Sequence, residues 1–501
     1  MGISPGRQGR IRVNYKPERI DRGISDYIRD LDPENATKLG ITPNGPESAG
    51  FNLTDYGNAE RLVSRHGGDI RYCYQTKQWY CWDSTRWAPD SGATVEHLAK
   101  DTVRSIYAEA SATQKYEDRK SLSDWARRSE KANQISAMIA LARSEPGIAV
   151  LPNELDSDPW KLNVTNGTID LKTGELLPHR REDLITKLAP VAYDPDAKCP
   201  RWEQFLSEVF EPHPDLIPFV QRAIGYALSG STREECLFLC FGPQGRNGKG
   251  TLMRTMGLVL GDYGHTADFS TFVAWRDDSK PRDDIANMSG KRFVTAQESR
   301  QNAEMAENIV KVLTGGDRLR ARRLHENSSE FDPTHKIFLG VNHKPVVKGT
   351  DGAIWSRIKL IPFEVSFEGR EDKNLKSALL DELPGILTWA VEGCLRWQEE
   401  GLDVPDTVTT ATQGYRLESD QVGRFVSECC LVGDFASAKA RPLYLAYKKW
   451  TEEAGEAATT EVAFSTAMTD RNYKKEHTKS GNMYRGICIK TENQGEGLYE
   501  R

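Results

Sequence analysis

Residues 236–260 constrain the fold most strongly, because a short apolar run, a glycine-rich loop and a helical pattern follow one another there. The run from Cys236 to Phe241 is typical of a buried parallel strand. The loop carries glycines on both sides of Lys249. Three apolar residues then share one helical face: Leu252, Met256 and Val259. This order is typical of phosphate binding, since backbone N–H groups, the helix N-terminus and a lysine all attract anions.

The loop departs in two places from the G-x-x-x-x-G-K-[ST] pattern. Pro243 stands where the pattern has glycine, and Gly250 follows the lysine where the pattern has serine or threonine. The oxygen ligand that this position would give Mg²⁺ is therefore either the Thr251 hydroxyl, after a small shift, or a water molecule. A glycine-rich turn can also be purely structural, but we predict that the whole loop binds nucleotide: Gly242, Pro243, Gln244, Gly245, Arg246, Asn247, Gly248, Lys249, Gly250 and Thr251.

From residue 236 to about 365, apolar runs alternate with helical patterns, which indicates an α/β domain. Glu298 ends one run and Asn342 ends the next, while Arg357 precedes a third. A parallel sheet presents its functional groups at the carboxyl ends of its strands. Taken singly, each of these residues has an ordinary interpretation as a strand-end acid, a turn residue or a surface arginine. Their succession after the glycine loop favours a functional one.

ATP hydrolysis needs bound phosphates, a metal ion, an oriented water and a cation for the charge that develops on the γ-phosphate. The sequence offers a candidate for each role. We predict four catalytic residues: Lys249, Glu298, Asn342 and Arg357. The expected cofactors are ATP and Mg²⁺, with Thr251 and Glu298 as the metal-binding residues.

A basic segment lies between Glu298 and Asn342, and residues 311–325 carry a local net charge of +4. A turn at Gly315–Gly316 precedes arginines that alternate with apolar residues, which predicts a β-strand with the arginines on one face. Such a hairpin can bind a phosphodiester backbone, although the same charges can simply protect an edge strand from pairing. The predicted DNA contacts are Lys311, Arg318, Arg320, Arg322 and Arg323.

Composition limits the kind of protein and its environment. The net charge is −6, so a nucleic acid would have to meet a local basic patch. The nine cysteines form no C-x-x-C pair, which argues against a zinc finger and indicates reduced thiols in a cytoplasm. No run of about 18 apolar residues predicts a membrane span.

Shifts in composition predict five regions. They are a flexible basic arm (1–50), a mixed α+β N-terminal domain (51–150), a β/α domain (151–232), an ATPase domain (233–405) and a C-terminal winged helix-turn-helix (418–492). The basic arm is either a solvated tail or a nucleic-acid contact. Residues 70–87 predict a hairpin rich in aromatic residues, whose strands either pack a small core or stack bases. In the last region, the sequence predicts three helices, then a basic segment and a final strand, and Lys474 and Lys475 are candidate DNA contacts.

The segment from about 155 to 365 resembles the phage and plasmid replicative primase-helicases of helicase superfamily three, which are related to the poxvirus nucleic-acid-dependent ATPase. The matching motifs are NGTIDLKTGE, RAIGYALSG, FGPQGRNGKGT, GKRFVTAQES, VKVLTGGDRLRAR, FDPTHKIFLGVNHKP and DGAIWSRIKLIPF. The resemblance continues, less tightly, into both ends of the chain.

This resemblance implies an AAA+-like P-loop core in which residues 242–251 form the Walker A loop and Glu298 is the Walker B acid. Residues 311–322 would contain a second B-type motif and the DNA-contacting hairpin. Asn342 would be the sensor 1 residue, and Arg357 would be an arginine finger that reaches the nucleotide of the neighbouring subunit. An arginine supplied by a neighbour requires subunits arranged in a ring, and the family's hexamer satisfies that requirement.

The function expected from this resemblance is an ATP-driven 3′→5′ DNA helicase for phage or plasmid replication in the cytoplasm of a bacterial host cell, acting on single-stranded and forked DNA. The resemblance also implies that the β/α domain of 151–232 is helicase-associated. Residues 1–50 are too short for a primase domain, and 51–150 show no cluster of acidic metal ligands with a histidine. We therefore expect a helicase that works beside a separate primase. Two alternatives remain: an origin-binding initiator that uses ATP without processive unwinding, and a DNA-packaging or defence ATPase.

Overall fold

The computed structural model describes residues 50–274, 283–298, 303–322, 328–349, 352–456, 458–478 and 481–490. Contacts divide the chain into two compact units, one formed by residues up to 68 with 96–145 and the other by 69–95 with 146 onward. Residues 1–49 of the predicted basic arm lie outside the described residues. The five predicted regions stay predictions as domain boundaries.

The first unit is helical. Its helices are α1 (Asp55–His66), most of α2 (Thr94–Ala112), α3 (Tyr116–Ser129) and α4 (Ala132–Ala142). The hydroxyl of Thr54 accepts a hydrogen bond from the backbone N–H of Gly57 at 3.0 Å and so caps α1. The Arg61 side chain is buried and pairs with Glu109, whose carboxylate lies 3.1 Å away.

The second unit begins with two small antiparallel sheets. The first contains β1 (Ile70–Cys73), β2 (Gln78–Trp82) and β3 (Trp87–Pro89), and the second contains β4 (Lys161–Val164), β5 (Gly167–Asp170) and β6 (Glu175–Leu177). The predicted aromatic hairpin is confirmed by the pairing of Cys73 with Gln78. Tyr72 and Trp87 are buried, as the core interpretation of these strands predicts.

An α/β core follows, built on a five-stranded parallel sheet of order β13-β7-β12-β9-β8. Its strands are β7 (Leu237–Phe241), β8 (Gly264–Thr266), β9 (Phe293–Gln297), β12 (Lys336–Val341) and β13 (Ile358–Pro362). An antiparallel hairpin is made by β10 (Leu319–Arg322) and β11 (Ser328–Phe331). The helices of this part are α5 (Pro200–Val209), α6 (Leu216–Leu228), α7 (Lys249–Leu260), α8 (Asp283–Ala286), α9 (Glu307–Thr314), α10 (Gly352–Arg357), α11 (Leu375–Asp381), α12 (Leu383–Glu400) and α13 (Asp406–Ser419).

Both faces of the sheet are covered, which explains the apolar sequence of its strands. Along β7, Phe238 and Cys240 belong to one core, which includes residues of α5, α6, α7 and α12. Leu237 and Leu239 belong to a second core on the opposite face, where α9 and α10 contribute. Phe241 pairs with Val341, so the carboxyl ends of β7 and β12 coincide. The four strands predicted here are confirmed, whereas β8 was not predicted.

The chain ends in an α+β region. It contains α14 (Gln421–Cys429), β14 (Cys430–Lys439), α15 (Ala440–Glu453), α16 (Glu461–Asp470), β15 (Lys475–Thr478) and β16 (Gly481–Ile489). The strands form an antiparallel sheet of order β14-β16-β15, and Phe425, Leu443 and Phe464 lie in the core beside it. The three predicted helices and the last strand are present, while β14 and β15 were not predicted. Its identity as a winged helix stays a prediction.

Among the residues that the structure describes, no helix has the length and apolar character that a membrane span requires.

Candidate active site

The glycine loop joins β7 to α7 at the carboxyl edge of the parallel sheet. The Asn247 side chain is buried and donates a hydrogen bond from Nδ2 to the carbonyl oxygen of Gln244 at 2.6 Å, which closes the loop. A Cβ atom at Gly242 would collide with this amide. Gly248 has a φ of +88° and packs against Val209, so a side chain there would be both strained and blocked. The loop therefore presents backbone to the cleft in front of α7.

Lys249, the first residue of α7, points back across this loop. Its Nζ atom lies 3.0 Å from the carbonyl oxygen of Gly242 and 3.0 Å from Oδ1 of Asn342. Burial lowers the pKa of Lys249 to about 8, although the nearby Glu298 carboxylate acts in the opposite direction. The side chain is thus a partly desolvated cation, whose charge an anion in the cleft would stabilise.

Glu298 follows β9 and is bound to the segment after β12. Its Oε2 atom accepts hydrogen bonds from the backbone N–H groups of Asn342 at 2.5 Å and His343 at 2.6 Å. Its Oε1 atom lies 3.2 Å from Nδ1 of His343. The carboxylate side chain is only 7% exposed, so these contacts fix its orientation.

One open cleft of about 320 Å³ contains these groups. The predicted residues that line it are Gly245, Arg246, Asn247, Gly248, Lys249, Gly250, Thr251, Glu298 and Asn342. Gly242 reaches the site through its carbonyl contact with Lys249, and Gln244 through its contact with Asn247. Three predicted catalytic residues from separate parts of the sequence are therefore brought together at one edge of the sheet.

The fourth predicted catalytic residue, Arg357, does not join this cleft. It immediately precedes β13, whose first residue, Ile358, pairs with Leu237 at the start of β7. Arg357 therefore lies at the amino edge of the sheet, opposite the glycine loop. Its Nη2 atom lies 3.0 Å from Glu235, its Nη1 atom donates to Ala353 at 2.9 Å, and its side chain is 20% exposed.

The predicted basic hairpin is formed by β10 and β11. Leu319 and Ala321 are buried, while Arg318 and Arg320 are exposed on the other face, as the alternation predicts. Arg318 is 64% exposed and lies 3.0 Å from Asp332. Arg322 is in β10, Lys311 is in α9, and Arg323 lies outside the described residues.

The two predicted C-terminal contacts lie where α16 leads into β15. Lys474 and Lys475 are both exposed. Lys475 donates a hydrogen bond to the hydroxyl of Ser465 at 3.0 Å, and its Nζ atom lies 5.7 Å from the ring centroid of Tyr484. These lysines therefore lie on the surface, away from the core of this region.

Sequence reasoning missed several residues of the site. His343 contacts Glu298, while Arg254 and Gln297 line the cleft. Lys344 binds Glu418 of α13 at 2.7 Å and lies 4.7 Å from the ring centroid of Phe241. The position of His343 and Lys344 directly after Asn342 was the available signal.

Two families match separate parts of the chain. The family described as "D5 N terminal like" matches residues 59–211, and a family of unknown function, DUF5906, matches residues 240–357. The chain is 24% identical over 460 residues to "Putative helicase L207/L206" of Acanthamoeba polyphaga mimivirus, covering 83% of this chain and 47% of that protein. It is also 24% identical over 304 residues to "Putative primase C962R" of African swine fever virus, covering 55% of this chain and 31% of that protein.

These similarities support a D5-like primase-helicase family. The chain spans less than half the length of these curated relatives. Among solved structures, the apo NrS-1 C-terminal region matches with 10% identity and a TM-score of 0.48, covering 86% of this chain and 98% of that one.

Proposed function

We propose that this chain is an ATP-dependent DNA helicase of phage or plasmid replication that translocates on single-stranded DNA as a ring. The observation that carries the proposal is the meeting of Lys249, Asn342 and Glu298 around one cleft at the N-terminus of α7. A lysine, a polar amide and an acid at the carboxyl edge of a parallel sheet supply phosphate binding, phosphate sensing and water orientation.

In this mechanism the triphosphate lies along the glycine loop, where backbone N–H groups and the start of α7 bind its oxygens. Lys249 exchanges part of its contact with Asn342 for the β- and γ-phosphates. The Asn342 amide, 3.0 Å from that ammonium, is then placed to donate a hydrogen bond to the γ-phosphate or to the attacking water. Glu298 orients the water, because its carboxylate is held at the same edge by the segment after β12.

The residues of the cleft fit a hydrated magnesium ion better than a metal held by protein alone. Within the described ranges, no group of three His, Cys, Asp or Glu residues is placed to bind a metal ion. Thr251 and Glu298 would hold Mg²⁺ together with phosphate oxygens and water, as is usual for this ion. When bound, the ion neutralises part of the phosphate charge.

The position of Arg357 is the reason for proposing a ring. At the amino edge of the sheet, this guanidinium cannot reach the cleft of its own chain, yet it remains partly exposed. We assign it to the nucleotide of a neighbouring copy in a homo-hexamer, where it would stabilise charge developing on the γ-phosphate.

The DNA contacts of the proposal are the β10–β11 hairpin and the C-terminal region. Arg318 and Arg320 are exposed on the hairpin, and Lys474 and Lys475 on the C-terminal region, which we assign as a winged helix. Curated relatives are named both as helicases and as a primase. We assign helicase action to this chain, with priming by a separate protein.

Strand displacement on forked DNA tests this function. The wild type should unwind the fork with ATP and Mg²⁺, and Lys249→Ala and Arg318→Ala should each abolish unwinding. Retention of full unwinding by Arg318→Ala would refute the hairpin assignment. Sequence-specific duplex binding that survives in Lys249→Ala, without any strand displacement by the wild type, would favour the origin-binding initiator.

A further inference from the structure

A bulge in β14 exposes Phe435 completely. Regular pairing with β16 stops after Val432 and resumes at Ser437, so residues 433–436 leave the ladder. Opposite them, Gly486 has a φ of +84°, a backbone conformation that glycine adopts readily. The Phe435 side chain is 104% exposed, whereas every other phenylalanine that the structure describes is buried or half-buried. Because bulges re-aim side chains, often at functional positions, this ring is a candidate contact for a ligand.

The bulge borders the outer face of the C-terminal sheet, where three cations lie. Tyr484 of β16 is buried in the core, so the next residue, Arg485, points to the outer face. Lys474 lies beside Arg485, whose backbone N–H donates to the carbonyl oxygen of Lys474 at 3.0 Å. Lys439 pairs with Met483, two residues before Arg485, and so shares this face. All three cations are exposed to solvent.

Positive charge dominates the segment that forms most of this face. Residues 471–490 carry a local net charge of +5 in a chain whose net charge is −6. Two acids lie nearby: Glu476, which is 2.8 Å from Nε of Arg485, and Asp434, which precedes Phe435 in the bulge. The cations outnumber these acids, so the face complements the negative charge of a phosphodiester backbone.

The combination of cations with an unpacked aromatic ring is typical of single-stranded nucleic-acid binding, in which the cations follow the backbone and a base stacks on the ring. Each base of a duplex is already stacked between its neighbours, so a single strand is the better partner for the ring. Leu431 and Val432 of the same strand are also exposed and extend the apolar contact. A protein partner suits this face less well, because the centres of protein interfaces are depleted of charged residues.

We propose that the outer face of the C-terminal sheet binds single-stranded DNA and that the Phe435 ring stacks on one of its bases. The inference rests on the proposed DNA binding and deepens it, because it adds a contact to a base where the cations contact only phosphates. It also separates two surfaces of the C-terminal region, since α16 packs on the inner face of the sheet through Phe464.

The test compares two labelled strands of equal length by fluorescence anisotropy on the full chain. One strand is oligodeoxythymidylate and the other has abasic sites throughout, so both have the same backbone charge. Phe435→Ala removes the ring, Phe435→Leu keeps an apolar side chain without a ring, and Phe435→Tyr keeps the ring. The fold should tolerate each change because Phe435 is fully exposed. Tyr116→Ala is the matched control, because Tyr116 is a 64% exposed aromatic residue of α3.

We expect the wild type to bind oligodeoxythymidylate more tightly than the abasic strand. Phe435→Ala and Phe435→Leu should each weaken binding of oligodeoxythymidylate by about tenfold and leave the affinity for the abasic strand unchanged. Phe435→Tyr and Tyr116→Ala should bind as the wild type does. Three results would overturn the inference: unchanged binding by Phe435→Ala, an equal loss for both strands, or wild-type affinity in Phe435→Leu. Loss of self-assembly in Phe435→Ala, with DNA affinity intact, would instead assign the ring to an interface between copies of the chain.

Strand displacement on forked DNA separates this inference from the proposed function. Weaker binding of oligodeoxythymidylate by Phe435→Ala, in a protein whose wild type unwinds nothing, would support the inference and refute the helicase. Unwinding by the wild type together with unchanged DNA binding by Phe435→Ala would refute the inference alone. A wild type that binds no oligodeoxythymidylate would refute both.

Discussion

Oδ1 of Asn342 lies 3.0 Å from Nζ of Lys249, although 93 residues separate them in the sequence. The contact joins the end of β12 to the first residue of α7 and places a neutral amide against a partly desolvated ammonium. An anion that attracts the Lys249 ammonium therefore changes the environment of Asn342. Through Asn342, bound phosphates are coupled to the segment after β12, whose backbone N–H groups bind Glu298.

Removal of the Asn342 amide should impair turnover more than binding. In Asn342→Ala, Lys249 keeps its contact with Gly242, so nucleotide affinity should change by less than about tenfold. The rate of ATP hydrolysis should fall by about 100-fold, because one oriented hydrogen-bond donor is lost. Steady-state kinetics measure the rate, and calorimetry with a non-hydrolysable ATP analogue measures the affinity. Asn133→Ala, at an exposed site in α4, is the control. An unchanged kcat in Asn342→Ala would remove Asn342 from the mechanism.

Nucleotide affinity should decrease with rising pH because of Lys249. Its pKa in the free protein is about 8, so the ammonium loses its proton as the pH increases past that value. The triphosphate is already fully ionised there, and binding must then take up a proton. Isothermal titration between about pH 7 and 9.5 should show weakening affinity together with proton uptake. In Lys249→Arg the charge persists, so a comparable decrease in that variant would assign the pH effect to another group.

The hairpin arginines should contribute to DNA affinity through phosphate charge. Arg318→Ala should weaken binding of single-stranded DNA. It should also make the decrease of log affinity with log salt less steep, by about one unit of slope per protomer. Fluorescence anisotropy at several salt concentrations measures this slope. Lys172→Ala removes the same charge from an exposed turn between β5 and β6 and should leave the slope unchanged. Equal slopes for wild type and Arg318→Ala would contradict the assignment.

A buried histidine should make the core sensitive to acid. Burial, reinforced by the positive charge of Lys336, lowers the pKa of His335 from 6.5 to about 4. As the pH falls, His335 therefore takes up a proton in the unfolded chain before it does so in the folded protein. The stability that the neutral imidazole contributes above pH 6.5 is lost as the pH falls toward 4. At pH 5 the loss is about 2 kcal/mol. Urea unfolding at pH 7 and 5 should show a smaller pH effect in His335→Leu than in the wild type or in His97→Leu, an exposed-site control. Equal pH effects would exclude His335 as the cause.

The parallel strands were predictable because strands covered on both faces have apolar sequences. The same reasoning placed Lys249, Glu298 and Asn342 together, since the carboxyl ends of parallel strands share one edge. The strand β8 was missed because Gly264–Thr266 is only three residues long and has no apolar pattern. The bonds from Glu298 to His343 depend on the path of the loop after β12, which residue spacing does not specify.

The position of Arg357 was implicit in the sequence, because a residue that precedes a parallel strand lies at the amino edge of the sheet. Its contact with Glu235, 122 residues earlier, required the structure. The exposure of Phe435 was not foreseen either, since it depends on a bulge in the pairing of β14 with β16.

Electron microscopy of the protein with a non-hydrolysable ATP analogue and single-stranded DNA would show whether neighbouring protomers complete each nucleotide site. We expect a closed ring in which the phosphates contact Lys249 and Asn342 of one protomer. The guanidinium of Arg357 from the next protomer should reach the γ-phosphate, and the β10–β11 hairpin should face DNA in the channel. Nucleotide bound away from Lys249, or a ring in which Arg357 approaches no nucleotide, would contradict this expectation.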